Sequence, residues 1–261
     1  MDLVALGDGL ERIARQAGAA IMDIYQQDFG VYEKQDASPL TDADLAAHNV
    51  IVKGLSGLSE LPILSEESAD IDWQTRQQWD RYWLVDPLDG TKEFIKKNGE
   101  FTVNIALIDN GKPVLGVVYA PALDVCYVGI DQHGAFKISE GQRSPITPKA
   151  HQQGETWKVV GSRSHQSPEI QALLERLPGD TELVAMGSSL KLCLVAEGAA
   201  HLYPRLGPTS EWDTGAAQAV VEAAGGSVTV IDSDDPLRED AAPLRYNQKE
   251  SVLNPYFLVS C

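Results

Sequence analysis

The chain has 261 residues, enough for one large domain or two modest ones, and its 43% hydrophobic and 23% charged content is that of an ordinary globular fold. A net charge of −17 excludes general binding to a nucleic-acid backbone and charge-driven adhesion to anionic lipid, since both rely on clustered lysine and arginine. No apolar run approaches the ~18 residues of a membrane span.

The opening Met1-Asp2-Leu3-Val4 lacks a basic region followed by an apolar block, so no signal peptide is expected. The three cysteines, Cys126, Cys193 and Cys261, are too far apart for a zinc knuckle and too few for a disulfide framework. A reducing, cytoplasmic setting fits them. So acidic a chain repels anionic substrates, and handling phosphate requires positive charge recruited locally. Bound metal ions are the direct means.

Residues 3–25 place Leu3, Leu6, Leu10, Ile13, Ala17, Ile21, Ile24 and Tyr25 on one helical stripe. Thr41 opens a second helix, with Asp44 three residues on in a capping arrangement and a stripe through Leu45, His48, Val50, Ile51 and Leu55. Leu61–Leu64 is a short apolar run ending at Ser65-Glu66-Glu67-Ser68, and residues 69–81 are looped or partly helical. Tyr82–Val85 and Phe101–Ile108 read as strands. Asp109-Asn110-Gly111-Lys112 is a hairpin signal, and Val114–Tyr119, Val125–Ile130 and Ala135–Ile138 continue a meander. The first half is therefore two helices on a largely antiparallel sheet. Gly141–Glu155, with two prolines, is the expected boundary, dividing residues 1–150 from residues 151–261.

Strands and helices alternate in the second half, as in an α/β unit. Strands are expected at Lys158–Val160, Leu183–Met186, His201–Tyr203, Val228–Val230 and Phe257–Val259. Helices are expected at Pro168–Leu177, Leu190–Glu197 and Asp213–Ala224.

Three acidic clusters stand at element ends, where ligands gather. Glu66 and Glu67 follow one strand, Asp86 and Asp89 follow another, and Asp213 heads a helix. In Asp86-Pro87-Leu88-Asp89-Gly90-Thr91, two carboxylates on a stiff turn suit a hard divalent cation. The glycine and threonine could offer an N–H and a hydroxyl to a phosphate. Turn chemistry explains many of the same residues, and capping would account for Asp213 alone.

Taken together, the Glu66-Glu67 pair, the segment Asp86–Thr91 and Trp212-Asp213-Thr214-Gly215-Ala216-Ala217 resemble the inositol monophosphatase superfamily, lithium-sensitive and magnesium-dependent phosphomonoesterases. The resemblance covers nearly the whole chain. Ser38-Pro39-Leu40-Thr41, Asp89-Gly90-Thr91-Lys92-Glu93-Phe94, Gly187-Ser188-Ser189-Leu190-Lys191 and Leu202-Tyr203-Pro204-Arg205 bring it closest to the bacterial 3'(2'),5'-bisphosphate nucleotidases of sulfate assimilation, the CysQ type.

The resemblance implies a five-layer αβαβα sandwich. It implies two magnesium ions, one held by Glu66, Asp86 and the Leu88 carbonyl, the other by Asp86, Asp89 and Asp213. A third, looser ion would take Asp36. Glu66 and Thr91 would activate water, and the N–H groups of Gly90 and Thr91 would hold phosphate. Inositol phosphatases carry an aspartate where Ser38 stands, so no metal or water-activating role passes to Ser38. Ser162, His165, Gly187, Lys191, Tyr203 and Arg205 would contact a phosphorylated nucleotide, Tyr203 by stacking and Lys191 through the second phosphate.

The implied reaction is removal of the 3'-phosphate from adenosine 3',5'-bisphosphate, with 3'-phosphoadenylyl sulfate as a related substrate. The alternatives are an inositol or sugar monophosphatase and a non-catalytic anion-binding regulatory protein. Some bacterial relatives associate peripherally with the inner membrane, but no basic amphipathic helix or lipidation signal is present here. The oligomeric state is not legible.

Overall fold

A computed structural model describes residues 2–27, 30–33, 39–161, 168–232, 235–238 and 240–261. Asp36, Ser38, Ser162 and His165 lie outside the described residues.

Helix α1 (Leu3–Tyr25) starts where the Asp2 side chain accepts from Val4 N and Ala5 N, and it buries Leu10, Ile13, Ala17 and Ile21. The short strands β1 (Val31–Glu33) and β2 (Pro39–Thr41) pair with each other. Helix α2 (Asp42–Leu58) begins at a Thr41–Asp44 capping box and buries Ala43, Ala47, Ile51 and Leu55. Strand β3 (Ile63–Ser65) and a 3-10 turn (Glu66–Ser68) follow, then α3 (Trp73–Arg76), β4 (Arg81–Asp89) and α4 (Thr91–Ile95).

Four hairpin-linked strands continue the sheet: β5 (Thr102–Asp109), β6 (Lys112–Ala120), β7 (Val125–Ile130) and β8 (Gly134–Ser139). The β5–β6 turn has positive φ at both Asn110 (50°) and Gly111 (74°), the geometry that suits right-twisted hairpins. Strand β9 (Gln142–Ile146) completes a seven-stranded sheet in sequential order, parallel at β3–β4 and antiparallel elsewhere. The expected boundary region thus opens with an edge strand.

The second half supplies β10 (Trp157–Gly161), α5 (Pro168–Leu174), β11 (Thr181–Ala185), α6 (Leu190–Ala196), β12 (Leu202–Arg205), α7 (Glu211–Ala224), β13 (Ser227–Val230) and β14 (Phe257–Ser260). Its five strands form a mixed sheet in the order β11-β10-β12-β14-β13.

The side-chain alternation of β5 explains the layering. Val103, Ile105 and Leu107 join the core formed with α1 and α2. Ala106 and Ile108 face the other way, into a core with Leu192 and Val195 of α6 and Ala216, Ala217 and Val220 of α7. That second core also takes Val160, Tyr203 and Val259 from the five-stranded sheet. A third cluster, with Val159, Leu202 and Leu258 under Leu174 and Leu177, lies between that sheet and α5. The layers run α1/α2, seven strands, α6/α7, five strands, α5, which is the expected sandwich.

Helix α7 lies directly on the seven-stranded sheet. A Cβ on Gly116 would stand 2.2 Å from the Ala216 carbonyl oxygen, and one on Gly129 would stand 2.4 Å from Val220 Cα. Only glycine permits this approach, and it sets the height of the α7 N-terminus above the end of β4.

Candidate active site

Strand β4 does not stop at Val85. It runs through Asp86-Pro87-Leu88-Asp89 against β5, with a register shift between Asp86 and Asp89. The irregularity accommodates Pro87 inside a strand and re-aims the two carboxylates. Asp86 is 1% exposed, and its Oδ1 accepts from Leu88 N at 3.0 Å. Gly90 then turns left-handed (φ 91°) into α4, whose first residue is Thr91. Asp213 is the third residue of α7 rather than its cap. Ser210 takes the cap position, and its N–H donates to Asp213 Oδ2 at 2.9 Å.

Glu66, Asp86, Leu88, Asp89, Gly90, Thr91 and Asp213 line one cavity of about 470 Å³, together with Lys92, Glu93, Pro208, Thr209, Ser210 and Leu253. The structure thus brings together residues up to 147 positions apart in sequence, from Glu66 to Asp213. A smaller recess opens beside it, bounded by Asp89, Asp213, Ser188, Ser189, Lys191, Tyr203 and Arg205.

Electrostatics in this space are unfavourable without a cation. Burial, then Glu66, Asp89 and Asp213, hold the Asp86 carboxyl well above its ordinary range, and Asp86 shares a hydrogen bond with Glu66. Burial and then Asp89 raise Asp213. Burial raises Asp89 also, opposed by the Lys191 ammonium and the Ser189 N–H. Scarce water raises all three, and negative neighbours add to the rise at Asp86 and Asp213. The donor set is all oxygen, with more formal charge than nearby cations offset, and it suits a hard dication. Among the described residues no three such side chains close on one point as a finished coordination shell. The four carboxylates face a common space instead.

Asp44 was legible only as a cap. It is 1% exposed, and its Oδ2 accepts from Thr41 N (2.8 Å) and Thr41 Oγ1 (2.6 Å). Its Oδ1 lies 3.5 Å from Thr91 Oγ1, which is 3.4 Å from the Leu88 carbonyl oxygen. The Thr91 hydroxyl therefore has Asp44 as a carboxylate neighbour, where the sequence offered only Glu66. An acid in the first turn of a helix reads as capping, and nothing in the spacing linked it to Thr91.

Among the residues expected to contact a nucleotide, Lys191 lies over the Tyr203 ring at 5.8 Å. Burial lowers its pKa, and Asp89 opposes that effect. Arg205 donates to the Pro208 carbonyl, while its Nε is buried without a hydrogen-bond partner among the described residues. Tyr203 is 3% exposed and meets Phe257 edge-on at 5.9 Å. It lines the recess, with little of its surface open for the expected stacking. Gly187 donates its N–H to Glu100 Oε2 at 2.8 Å and packs on Glu93, outside the lining of both spaces. It shapes the loop before α6 rather than facing the cavity.

Residues 5–256 match the model of the inositol monophosphatase family. The 3'(2'),5'-bisphosphate nucleotidase CysQ of Escherichia coli K12 is 50% identical over 256 residues, which is 97% of this chain and 98% of that protein. The protein of the same name from Haemophilus influenzae is 37% identical over 95% of this chain and 89% of its own length. The crystal structure of CysQ from Bacteroides thetaiotaomicron, a bacterial member of the inositol monophosphatase family, superposes with a TM-score of 0.84 at 42% identity. That match covers 98% of this chain and 97% of that one.

Proposed function

The chain belongs to the inositol monophosphatase family, and we propose from this that it is a magnesium-dependent phosphomonoesterase releasing the 3'-phosphate of adenosine 3',5'-bisphosphate. The observation that carries the reading is the shared cavity of Glu66, Asp86, Asp89 and Asp213, in which burial raises the three aspartates and the negative charge of neighbouring carboxylates adds to it at Asp86 and Asp213. Similarity to nucleotidases at 50% identity supports the choice of substrate over inositol phosphates.

Paired magnesium ions would be held by Glu66, Asp86, the Leu88 carbonyl, Asp89 and Asp213. When bound, they would supply charge for the phosphoryl oxygens and a more acidic attacking water. The chain's own groups do the rest. Thr91 Oγ1 would accept a hydrogen bond from that water and, as the water gives up its proton to Thr91, pass its own hydroxyl proton to Asp44, with Glu66 in the same cavity helping to orient the water. The Gly90 and Thr91 N–H groups hold the phosphoryl oxygens as charge develops on them. Lys191 and Arg205 supply positive charge in the recess for a second phosphate, and the unpartnered Arg205 Nε supports that use. Asp36, Ser162 and His165 remain candidates for a third ion and for the nucleotide.

The test is phosphate release from adenosine 3',5'-bisphosphate, 3'-phosphoadenylyl sulfate and inositol 1-phosphate, with and without magnesium. Magnesium-dependent turnover of the nucleotides, well above that of the inositol ester, is expected. Preference for the inositol ester would replace the nucleotide reading. Tight nucleotide binding without hydrolysis would replace catalysis with regulation.

A further inference from the structure

We propose that Ser189 is a positioning residue for Asp89, fixed by a closed ring of three buried hydrogen bonds that ties the start of α6 to strand β5. The proposal rests on the reading of Asp89 as a metal ligand.

With the Asn104 amide as placed, proton accounting closes the ring in one direction, and turning the amide over closes it equally in the other. Ser189 Oγ lies 2.7 Å from Asn104 Oδ1, an amide oxygen that can only accept, so the serine hydroxyl donates there. The Ser189 oxygen is left to accept from the Thr102 hydroxyl, 2.8 Å away. The Thr102 oxygen in turn accepts from Asn104 Nδ2 at 3.2 Å. Each hydroxyl donates once and accepts once, and the amide does both. Thr102 is 0% exposed, Asn104 1% and Ser189 2%, so water cannot replace a missing member.

The ring joins the seven-stranded sheet to the helical layer above it. Thr102 and Asn104 stand two apart on β5, on the face that Ala106 and Ile108 turn toward α7. Ser189 heads α6. A serine there normally bonds the first turn of its own helix, yet this one makes no side-chain cap bond, because its hydroxyl belongs to the ring. Its backbone N–H donates to Asp89 Oδ2. A second tether, Gly187 N–H to Glu100 Oε2, holds the loop two residues earlier. Between the tethers Ser188 has φ 48°, a left-handed conformation that a serine keeps only when its neighbours are fixed. One oxygen of Asp89 is thereby held by a donor anchored in β5, and the carboxylate is oriented toward the cavity before any ligand arrives.

The experiment is titration of manganese into the metal-free protein by calorimetry, with thermal unfolding followed in parallel. Ser189→Ala and Thr102→Val should each weaken manganese binding about ten-fold, the scale of an outer hydrogen-bond partner of a metal ligand. Thr102→Ser keeps the hydroxyl and should bind within about two-fold of the unaltered protein. Thr102→Val carries the test if Ser189→Ala does not fold. Lowered melting temperature with unchanged manganese affinity in both variants would make the ring merely structural and overturn the proposal. Equal loss in Thr102→Ser would overturn it also. Unaltered protein that binds no manganese overturns it together with the metal reading. If that protein binds manganese and the variants behave as stated, yet no phosphomonoester is turned over, the proposal stands and only the substrate reading fails.

Discussion

At the scale of single residues, Asp86 carries opposite consequences for stability and activity. It is buried among three other carboxylates, with burial and their charge raising its pKa. Asn keeps the acceptor for Leu88 N and can donate to Glu66, so Asp86→Asn should raise the melting temperature of the metal-free protein. The same change removes the ligand proposed to bridge both ions, and kcat should fall at least about a hundred-fold. Parallel calorimetry and phosphate release check the pair of outcomes, and near-normal turnover would remove Asp86 from the bridging position. Lys191 lies in the recess beside Asp89 and over Tyr203. Lys191→Ala should raise KM for a bisphosphate about ten-fold, the worth of one charged hydrogen bond, and spare a monophosphate. Initial rates on adenosine 3',5'-bisphosphate and 3'-AMP separate this from an equal loss on both, which would make Lys191 structural. The acidic residues of the site were legible because Asp86–Thr91 and the segment around Asp213 are compact motifs. Asp44 and the Ser189 ring were not. Asp44 fits a cap equally well, and the ring joins residues 85 and 87 positions apart that share no pattern.

At the scale of elements, α7 is the lever that places Asp213. Gly116→Ala would press a methyl against the Ala216 carbonyl, so the helix must lift. Destabilisation of about 1–3 kcal/mol is expected from such overpacking. Turnover should fall with it, although residue 116 touches no substrate. Chemical denaturation and kcat measure the two together, and full activity at reduced stability would uncouple α7 height from Asp213. The turn into β12 carries a pH-dependent element. His201 is 2% exposed, and its Nδ1 accepts from Lys158 N at 2.9 Å. Burial lowers its pKa, with Glu155 opposing and His151, Lys149 and Lys158 assisting. The folded state therefore keeps the ring neutral, whereas the unfolded chain takes up a proton near pH 6.5. Stability is full above that pH and declines as the pH falls below it. His201→Asn retains an acceptor and should flatten the slope of stability between pH 6.5 and 5. An unchanged slope would assign the acid sensitivity to other groups. The elements that periodicity missed are explained by size and exposure. Strand β9, Gln-Arg-Ser-Pro-Ile, is almost wholly exposed and offers no apolar alternation. Helix α4 has five residues, too few for a 3.6-residue repeat to register. Strand β4 outran its expected end because its bulge lets Pro87 sit within a strand.

At the scale of the whole molecule, the apolar runs of β4 to β7 fit a sheet covered on both faces, as the cores on either side of β5 make plain. Periodicity alone yielded two α-and-β halves. The order of the five layers came from resemblance, because the contacts that stack α6 and α7 between two sheets are long-range and leave no mark in a local window. The net charge of −17 makes the site a local exception. An anion must cross a repulsive field and meet Lys191, Arg205 and metal-borne charge at its end. The account stands on the claim that Glu66, Asp86, Asp89 and Asp213, drawn from three elements, hold paired divalent cations. Anomalous diffraction from crystals grown with manganese tests that claim most directly. Two peaks a few ångströms apart, both beside Asp86, are expected. An absence of anomalous density among the four carboxylates, in crystals that diffract well at the manganese edge, would contradict it.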